Sequence, residues 1–317
     1  MNGNTDQRSS RFSGSLRATR SLSWLTCAIL ITILFTAGCP YTEARSPALH
    51  KEGVQPPRSV LSHEAAHRTR LVVLGSGTPV ADPARLGPAA AIVLDDHPPY
   101  LFDAGAGVLR GARAAGLAPE SVGHVFLTHL HSDHTLGLDE MIVGAWTTGR
   151  RVPLQIHGPP GTRAMVDHLV AAFEEDRALR SSGLEGAPSG SARVLVAELE
   201  PGDVFEETGI RIVAFAVEHG SWERAYGYRV EGPDRVVVIS GDTAPSDAVV
   251  EACDGCDVLV HEVYSAAGWR EGPADFRAYH AAFHTSGEQL GGIATRARPG
   301  LLVLSHLLFF GHAPGEL

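Results

Sequence analysis

The order of predicted strands and helices favours an α/β fold in which two β-sheets pack face to face and helices cover both outer sides. Apolar strand-like runs alternate with helical segments in residues 70–180 and again in residues 236–305. A series of consecutive strand-like runs lies between these two regions. Helices that segregate to the outside of two packed sheets account for this order. The 317 residues, 44% of them apolar, are enough to bury such a core.

The first 39 residues have the pattern of an export signal. Residues 1–21 are polar and contain four arginines, and residues 22–37 are almost all apolar. The apolar run is short for a permanent transmembrane helix, although an uncleaved anchor is an alternative. Residues 36–39 resemble a bacterial lipobox, in which Cys39 would become the lipidated first residue. We therefore expect an exported protein of the periplasm or cell envelope, either attached to the membrane through this segment or released by cleavage.

Residues 40–68 lack an apolar period and are predicted to form a flexible tether, which leaves residues 69–317 for the folded domain. The formal net charge of −10 argues against a general affinity for nucleic acid. Cys253 and Cys256 are the cysteines outside the signal. In an exported chain they form either a local disulfide or two unpaired structural thiols.

The first half of the domain alternates strands with helices. Glycines in residues 75–79 allow a sharp turn after the first strand. Asp103 either caps the first helix or supports a neighbouring loop from behind. Thr162 is placed to cap the third helix. Strands are predicted at residues 70–74, 89–94, 100–102, 125–127 and 154–157, and helices are predicted to end near 115 and to span 136–146 and 162–180.

The second half is richer in strands. A loop rich in serine, glycine and proline at residues 181–191 separates it from the first half. Runs of β-branched residues then follow one another closely before helices return. Strands are predicted at residues 193–198, 203–205, 210–217, 225–230, 236–239, 258–261 and 301–305, and helices at 246–252 and 286–297.

Four potential metal ligands lie within six residues directly after the strand at 125–127. They are His129, His131, Asp133 and His134. Imidazole and carboxylate are ligands that a borderline dication such as zinc accepts. Burying this cluster without a metal would leave several polar groups unpaired. The spacing therefore predicts a metal-binding turn at the end of a strand.

Three further candidates lie at the ends of later apolar strands. His219 follows the strand at 210–217, Asp242 follows the strand at 236–239, and His306 follows the strand at 301–305. Each alone is compatible with a surface histidine, a turn aspartate or a capping residue. Because strand ends meet at one edge of a sheet, we expect these side chains to converge on the turn.

Several blocks of sequence together resemble the metallo-β-lactamase superfamily. The resemblance is closer to its ribonuclease Z-like branch, which includes tRNA 3′-processing nucleases, cyclic-nucleotide phosphodiesterases and arylsulfatase-like enzymes. The resemblance implies an αβ/βα four-layer sandwich with a dinuclear metal site. The blocks that carry it are residues 74–79, 103–107, 129–134, 157–162, 241–243, 261–262 and 284–286.

The resemblance also implies roles for individual residues. His129, His131 and His219 would hold one zinc ion, Asp133, His134 and His306 would hold the other, and Asp242 would bridge them. Manganese or iron would suit the same ligands. His284 and Glu262 match positions that the branch uses to contact the scissile group. On chemical grounds, Asp133 would accept the proton or orient the nucleophile, His284 would donate a proton or hydrogen bond, and Glu262 would orient that imidazole. His280 is a further candidate, although a structural histidine is the favoured interpretation.

The sequence thus predicts a dizinc hydrolase that acts on phosphodiester bonds. Hydrolysis of sulfate esters or lactones on the same metals is an alternative, because fold alone does not select the reaction. A metal-binding lipoprotein without catalytic activity is a third hypothesis. We expect a small-molecule or nucleotide ester as substrate rather than tRNA, because residues 181–191 are short and contain no lysine. The family resemblance also allows a homodimer.

Overall fold

The computed structural model describes residues 68–317 except Asp96, Pro188 and Thr208. The predicted export signal, and the predicted tether up to residue 67, lie outside the described residues. Among the residues described, there is no helix with the length and apolar character that crossing a membrane requires.

The described residues form two mixed six-stranded sheets. The first contains β1 to β6 in sequence order, with β1 to β3 antiparallel to their neighbours and β3 to β6 parallel. The strands are β1 Thr69–Gly75, β2 Ala89–Leu94, β3 Tyr100–Phe102, β4 His124–Phe126, β5 Leu154–Gly158 and β6 Val194–Glu198.

The second sheet has the order β12-β11-β10-β9-β8-β7. Strands β7 to β10 pair antiparallel, whereas β10 to β12 pair parallel. The strands are β7 Val204–Glu207, β8 Ile210–His219, β9 Trp222–Glu231, β10 Val236–Ile239, β11 Val258–Tyr264 and β12 Leu301–Leu308.

Helices accompany both sheets. They are α1 Val108–Ala114, α2 Ser132–Thr135, α3 Ala145–Thr147, α4 Thr162–Ala172, α5 Glu174–Ser182, α6 Asp247–Cys253, α7 Ala266–Glu271, α8 Ala274–Phe283 and α9 Gly287–Ala297. A π-helical turn, Glu140–Gly144, precedes α3 directly, and short 3₁₀ turns occur at Pro119–Ser121, Ser189–Ala192 and Pro314–Glu316.

A core of apolar side chains joins the two sheets. Ile92 and Phe126 of the first sheet belong to the same buried cluster as Ile212 and Tyr228 of the second. Alternation along each strand explains this, because successive side chains point to opposite faces of a sheet. The neighbours of Phe126 accordingly point outward, and Val125 belongs to a separate cluster with the helices on the outer side.

Each sheet has a second apolar face under helices. Val108 of α1 and Val166 of α4 pack in the cluster outside the first sheet. Val249 of α6 and Ile293 of α9 pack in the cluster outside the second. The four layers predicted from the sequence, helices, sheet, sheet and helices, are therefore confirmed.

Two predicted helices differ in the structure. The helix expected at 162–180 is interrupted at Phe173, which separates α4 from α5. Thr162 is not its cap: Gly161, with φ of 107°, holds the cap position, and the Thr162 hydroxyl donates to Pro159 O at 2.6 Å. The helix expected at 136–146 is broken by the π-helical turn. The buried guanidinium of Arg150 explains the break, because it donates to the carbonyls of Met141 and Ile142.

Two other features were not assigned from the sequence. Helices α7 and α8 fill a segment for which no element was predicted. Cys253 and Cys256 form a disulfide at the end of α6, which is the first of the two alternatives left open above.

Candidate metal centre

The predicted ligands of both clusters lie together at one end of the two sheets. His129, His131, His219 and Asp242 form one group and Asp133, His134 and His306 form another; within each group one ligand atom per residue lies within 4.8 Å of the others. All of these side chains are buried except that of His131, which is partly exposed. The turn after β4 supplies the contiguous residues, the end of β8 supplies His219, the turn after β10 supplies Asp242, and a position inside β12 supplies His306.

His219 is held by a helix at the end of β8. Its Nδ1 donates a hydrogen bond to Phe283 O at 2.8 Å, and Gly220 N donates to Ala282 O at 3.0 Å. These carbonyls are at the C-terminal end of α8, where they have no partner within the helix. Because the proton sits on Nδ1, Nε2 of His219 presents its lone pair to the centre, 3.0 Å from His131 Nδ1.

Asp242 lies between the two groups. Its Oδ2 is 3.1 Å from His306 Nε2 and 3.3 Å from His134 Nε2. Gly241 before it has φ of 63°, and a Cβ at that position would lie 2.6 Å from Tyr226 O. Only glycine fits there without displacement, so the tight turn after β10 delivers the carboxylate to the centre.

A β-bulge places His306. Ser305 pairs with Glu262 and Leu307 pairs with Val263, so His306 is the additional residue in β12. It adopts φ of 45°, a left-handed conformation that costs energy for a residue with a side chain. Because of the bulge, the imidazole does not follow the alternation of side chains between the two faces of the sheet. Its Nε2 instead lies 3.1 Å from Asp133 Oδ2.

Asp103 supports the histidine turn from behind. It accepts hydrogen bonds from the backbone N–H of Thr128 at 2.8 Å, from its hydroxyl, and from Nδ1 of His134 at 2.8 Å. Since the Thr128 hydroxyl donates to Asp103, its oxygen accepts a hydrogen bond from His129 Nδ1, 3.0 Å away. Asp103 does not cap α1, which begins after Gly107. The second alternative for this residue, a supporting role behind the loop, agrees with the geometry.

These outer hydrogen bonds determine which nitrogen of His129, His134 and His219 faces the centre. His129 Nε2 and His219 Nε2 both approach His131 Nδ1, at 2.9 and 3.0 Å. A single proton on His131 Nδ1 cannot form good hydrogen bonds to the Nε2 lone pairs of both His129 and His219. A single cation, by contrast, can accept the lone pairs of all three nitrogens. The donor set of nitrogens and carboxylate oxygens therefore fits a divalent metal.

Burial prepares His129 and His219 to act as ligands. It lowers the pKa of His219 to about 4 and holds the pKa of His129 well below its ordinary value. A histidine must be neutral to bind a metal, so this environment favours the binding form. Burial alone would raise the pKa of Asp242, but His306 and His134 lower it well below the usual value and keep the carboxylate charged.

His284 and Glu262 lie at the edge of the centre. His284 Nδ1 is 3.5 Å from Glu262 Oε2 and 4.0 Å from Asp242 Oδ2, and its ring stacks on that of His306 with centroids 5.4 Å apart. Glu262 Oε1 accepts a 2.6 Å hydrogen bond from Thr285 N. Burial and the neighbouring Asp242 raise the pKa of Glu262 well above its ordinary value. Both residues are buried.

Sequence reasoning missed the aromatic residues beside the centre. Phe276 and Tyr279 of α8 line the cavity above it together with His280. The signal was present, because Phe276, Tyr279, His280 and Phe283 follow the spacing of one helical face. They were not singled out because no helix was predicted there.

Comparisons with known proteins place the chain among metal-dependent hydrolases. Residues 99–307 match the model of the β-lactamase superfamily domain. Ribonuclease Z of Mycobacterium sp. (strain KMS) is 34% identical over 243 residues, which cover 75% of this chain and 84% of that protein. Ribonuclease Z of Mycobacterium marinum is 33% identical over 242 residues, 74% of this chain and 85% of the relative.

Solved structures share the fold. The crystal structure of the short form of human tRNase Z has a TM-score of 0.60 at 22% identity, covering 76% of this chain and 93% of that one. A diphosphatase from the PhnP family has a TM-score of 0.57 at 20% identity, covering 76% and 87%. At these identities the likeness extends to the arrangement of the two sheets and their helices.

Proposed function

The chain belongs to the metallo-β-lactamase superfamily and is a metal-dependent phosphodiesterase within it, and we propose that it works with two zinc ions on phosphodiester bonds between nucleotides. One observation carries this proposal. Nitrogens of His129, His131 and His219 converge beside the Asp242 carboxylate. The same carboxylate also faces His134 and His306. Manganese or iron would suit the same donors.

We divide the ligands according to these contacts. His129, His131 and His219 would hold one ion, because their nitrogens approach one another. Asp133, His134 and His306 would hold the second, and Asp242 would be available to both. When bound, two such dications lower the pKa of a water molecule towards neutrality and neutralise charge on the phosphate.

The protein's own residues then position and protonate. Asp133, 3.1 Å from His306 Nε2, orients the attacking oxygen and accepts its proton. His284 donates from Nε2 to the leaving oxygen, while Glu262 faces Nδ1 of the same ring and fixes its orientation. His280 lines the same cavity and its Nδ1 donates a hydrogen bond to Phe276 O; we assign it a structural role.

Ribonucleotide phosphodiesters are the substrates that we favour. The name ribonuclease Z, which the curated relatives carry, supports RNA as the substrate. The chain itself has a formal net charge of −10 and contains no lysine in residues 181–191. These features favour a nucleotide ester or a short RNA end over a large structured tRNA. Export from the cytoplasm and homodimer formation remain proposals from the sequence pattern and the family resemblance.

Metal analysis of the purified domain together with a substrate panel tests this function. The panel contains bis(p-nitrophenyl) phosphate, p-nitrophenyl sulfate and an aryl lactone. We expect turnover of the phosphodiester to dominate and about two metal ions per chain. Preferred turnover of the sulfate or the lactone would reassign the reaction, and two bound metals without any turnover would indicate a metal-binding protein.

His131→Ala tests the ligand assignment. Removal of an imidazole that lies between two others should release metal and lower kcat by several orders of magnitude, since the source of hydroxide is lost. His168→Ala is the matched control, because His168 is exposed on α4 and bonds only within its own helix. Unchanged turnover in His131→Ala would refute the assignment.

A further inference from the structure

A cavity of about 550 Å³ opens directly beside the candidate metal centre. Asp133, Asp242, His284 and His306 form its floor. Aromatic side chains from α8 and from the segment after β12 form one wall. Cavities of this size are typical of sites that enclose a small molecule or one unit of a polymer. The wall therefore lies where a group attached to the scissile phosphate would rest.

Packed rings build the aromatic wall. The centroids of Phe276 and Phe310 are 4.8 Å apart at an interplanar angle of 73°, and His280 lies 4.1 Å from Phe276 and 4.7 Å from Phe310. The His280 ring is fixed in turn by the 2.8 Å hydrogen bond between its Nδ1 and Phe276 O. Mutual packing leaves these rings little freedom, so the wall is formed before any ligand arrives.

Tyr279 differs from the rings behind it. It stacks on Phe283 with centroids 4.4 Å apart, yet 46% of its surface is exposed. Its ring lies 6.5 Å from that of His284. A large aromatic side chain that is held on one side and open on the other, next to a reactive centre, offers a platform for a flat ligand.

The charges around the cavity do not favour a second phosphate at this wall. Arg85 is the only lysine or arginine among the described residues that line it. The Arg85 guanidinium forms a 2.5 Å ion pair with Asp82 and lies over the ring of Phe309, 4.6 Å from its centroid. With this charge already paired, the wall suits an uncharged planar group.

We propose that the wall formed by Tyr279, Phe276 and Phe310 binds one nucleobase of the substrate. This base is attached to the phosphodiester at the metal centre and is not stacked on other bases. The inference rests on the proposed function and adds the chemical group that selects the substrate. Every nucleobase has a flat face, so stacking on Tyr279 tolerates different bases and requires only that the base is unpaired. A compact nucleotide ester and a single-stranded RNA end both supply such a base.

A diribonucleotide and an analogue with the same sugar–phosphate backbone but no bases test the proposal. We expect kcat/KM of the full-length zinc protein to be roughly tenfold to a hundredfold higher for the diribonucleotide, as a stacked base contributes. Equal values for both compounds would overturn the nucleobase site and leave the proposed phosphodiesterase function intact. Failure to cleave either compound, with metal bound, would overturn that function and the inference together.

Variants of Tyr279 identify the platform. Tyr279→Ala should remove most of the ratio between the two kcat/KM values, whereas Tyr279→Phe should keep it because the ring remains. Leu179→Ala is the control, since Leu179 is an exposed apolar side chain on α5. A ratio that is unchanged in Tyr279→Ala would overturn the assignment.

A hairpin RNA that ends in a single-stranded 3′ tail of the same sequence distinguishes the two sources of the base. If Tyr279→Ala impairs cleavage of the tail more than that of the diribonucleotide, the base belongs to an RNA end. If it impairs the diribonucleotide more, the base belongs to a compact ester. Both results support the site, and no effect on either substrate contradicts it.

Discussion

Nδ1 of His134 donates a 2.8 Å hydrogen bond to Oδ2 of Asp103, so a carboxylate 31 residues earlier in the chain orients a candidate metal ligand. The other oxygen of Asp103 accepts from the backbone and the hydroxyl of Thr128. Asp103 adopts φ of 57°, a left-handed conformation that is uncommon for residues other than glycine, asparagine and aspartate. The left-handed backbone and the hydrogen bonds together indicate that the loop after β3 is adapted to hold the histidine turn.

Asp103→Asn should weaken metal binding. If the amide oxygen of the new side chain keeps the hydrogen bonds to Thr128, its NH₂ group faces Nδ1–H of His134. Both groups are then donors, and the hydrogen bond that orients His134 is lost. Loss of such an outer partner typically costs tenfold to a hundredfold in metal affinity. Titration of the metal-free domain with zinc in competition with a chromophoric chelator measures this. Asp247→Asn, which changes an exposed ion pair with Arg296, should leave affinity unaltered; equal affinities for all three proteins would contradict the role of Asp103.

Gly241→Ala should destabilise the fold and displace Asp242. The new Cβ would lie 2.6 Å from Tyr226 O and 3.0 Å from Thr128 Cβ, on a backbone with φ of 63°. We expect a loss of about 1–3 kcal/mol in the free energy of unfolding, the range for a residue forced into a sparsely populated conformation. Urea denaturation measures it.

Gly292→Ala provides the opposite result as a control. Gly292 lies within α9 and a Cβ there has open space around it. Alanine should stabilise this helix by about 0.5–1 kcal/mol because the unfolded chain has less backbone freedom to lose. The prediction fails if the free energy of unfolding of Gly241→Ala falls by no more than the magnitude of the change in Gly292→Ala. The turn would then accommodate the methyl group without cost.

The local pattern of the sequence was sufficient for the layers and for the histidine turn. The strand predicted at 89–94 coincides with β2, and the strand predicted at 236–239 coincides with β10, because buried apolar runs between glycines and turns are unambiguous. His129 to His134 are contiguous, so their proximity required no tertiary information. His219, Asp242 and His306 needed the expectation that strand ends converge, and the structure brings them together.

Tertiary contacts determined what the sequence did not predict. His306 was expected after the strand, yet it lies inside β12, at a bulge that depends on the register with β11. Arg150 lies outside the helix that it interrupts, so a local window does not contain the cause. The aromatic wall involves α8 and Phe310, which are separated in sequence and meet through packing.

His284→Ala should lower kcat without loss of metal. The imidazole is buried beside Glu262 and stacks on His306. It could also bind a metal together with Asp242 and His306, but our ligand assignment does not use it. Removal of a general acid typically costs a hundredfold to ten-thousandfold in rate. Steady-state kinetics with bis(p-nitrophenyl) phosphate and metal analysis of the same sample separate the two effects, and His168→Ala serves as the control. A fall in metal content parallel to the fall in kcat would instead assign His284 to metal binding.

His157, whose ring packs against Phe126 in the interior, should make the domain sensitive to acid. Burial lowers its pKa to about 4, and the ring stacks on Phe126 with centroids 4.5 Å apart, while its Nε2 is 3.1 Å from His124 Nδ1. The unfolded chain binds this proton near the ordinary pKa of about 6.5. Between pH 6.5 and 4 the unfolded state therefore holds more protons, and stability falls as the pH falls, by up to about 1.4 kcal/mol per pH unit for one such group.

His157→Phe isolates this contribution. Phenylalanine keeps the aromatic stacking between the sheets but cannot take up a proton. We expect the free energy of unfolding, measured by urea denaturation from pH 7 to pH 4.5, to fall less steeply in the variant than in the unmodified domain. His219 and His261 share the depressed pKa and contribute equally to both proteins, so the difference between the curves belongs to His157 and its contact with His124. His168→Gln should reproduce the slope of the unmodified domain, and parallel curves for His157→Phe would show that its protonation is not linked to unfolding.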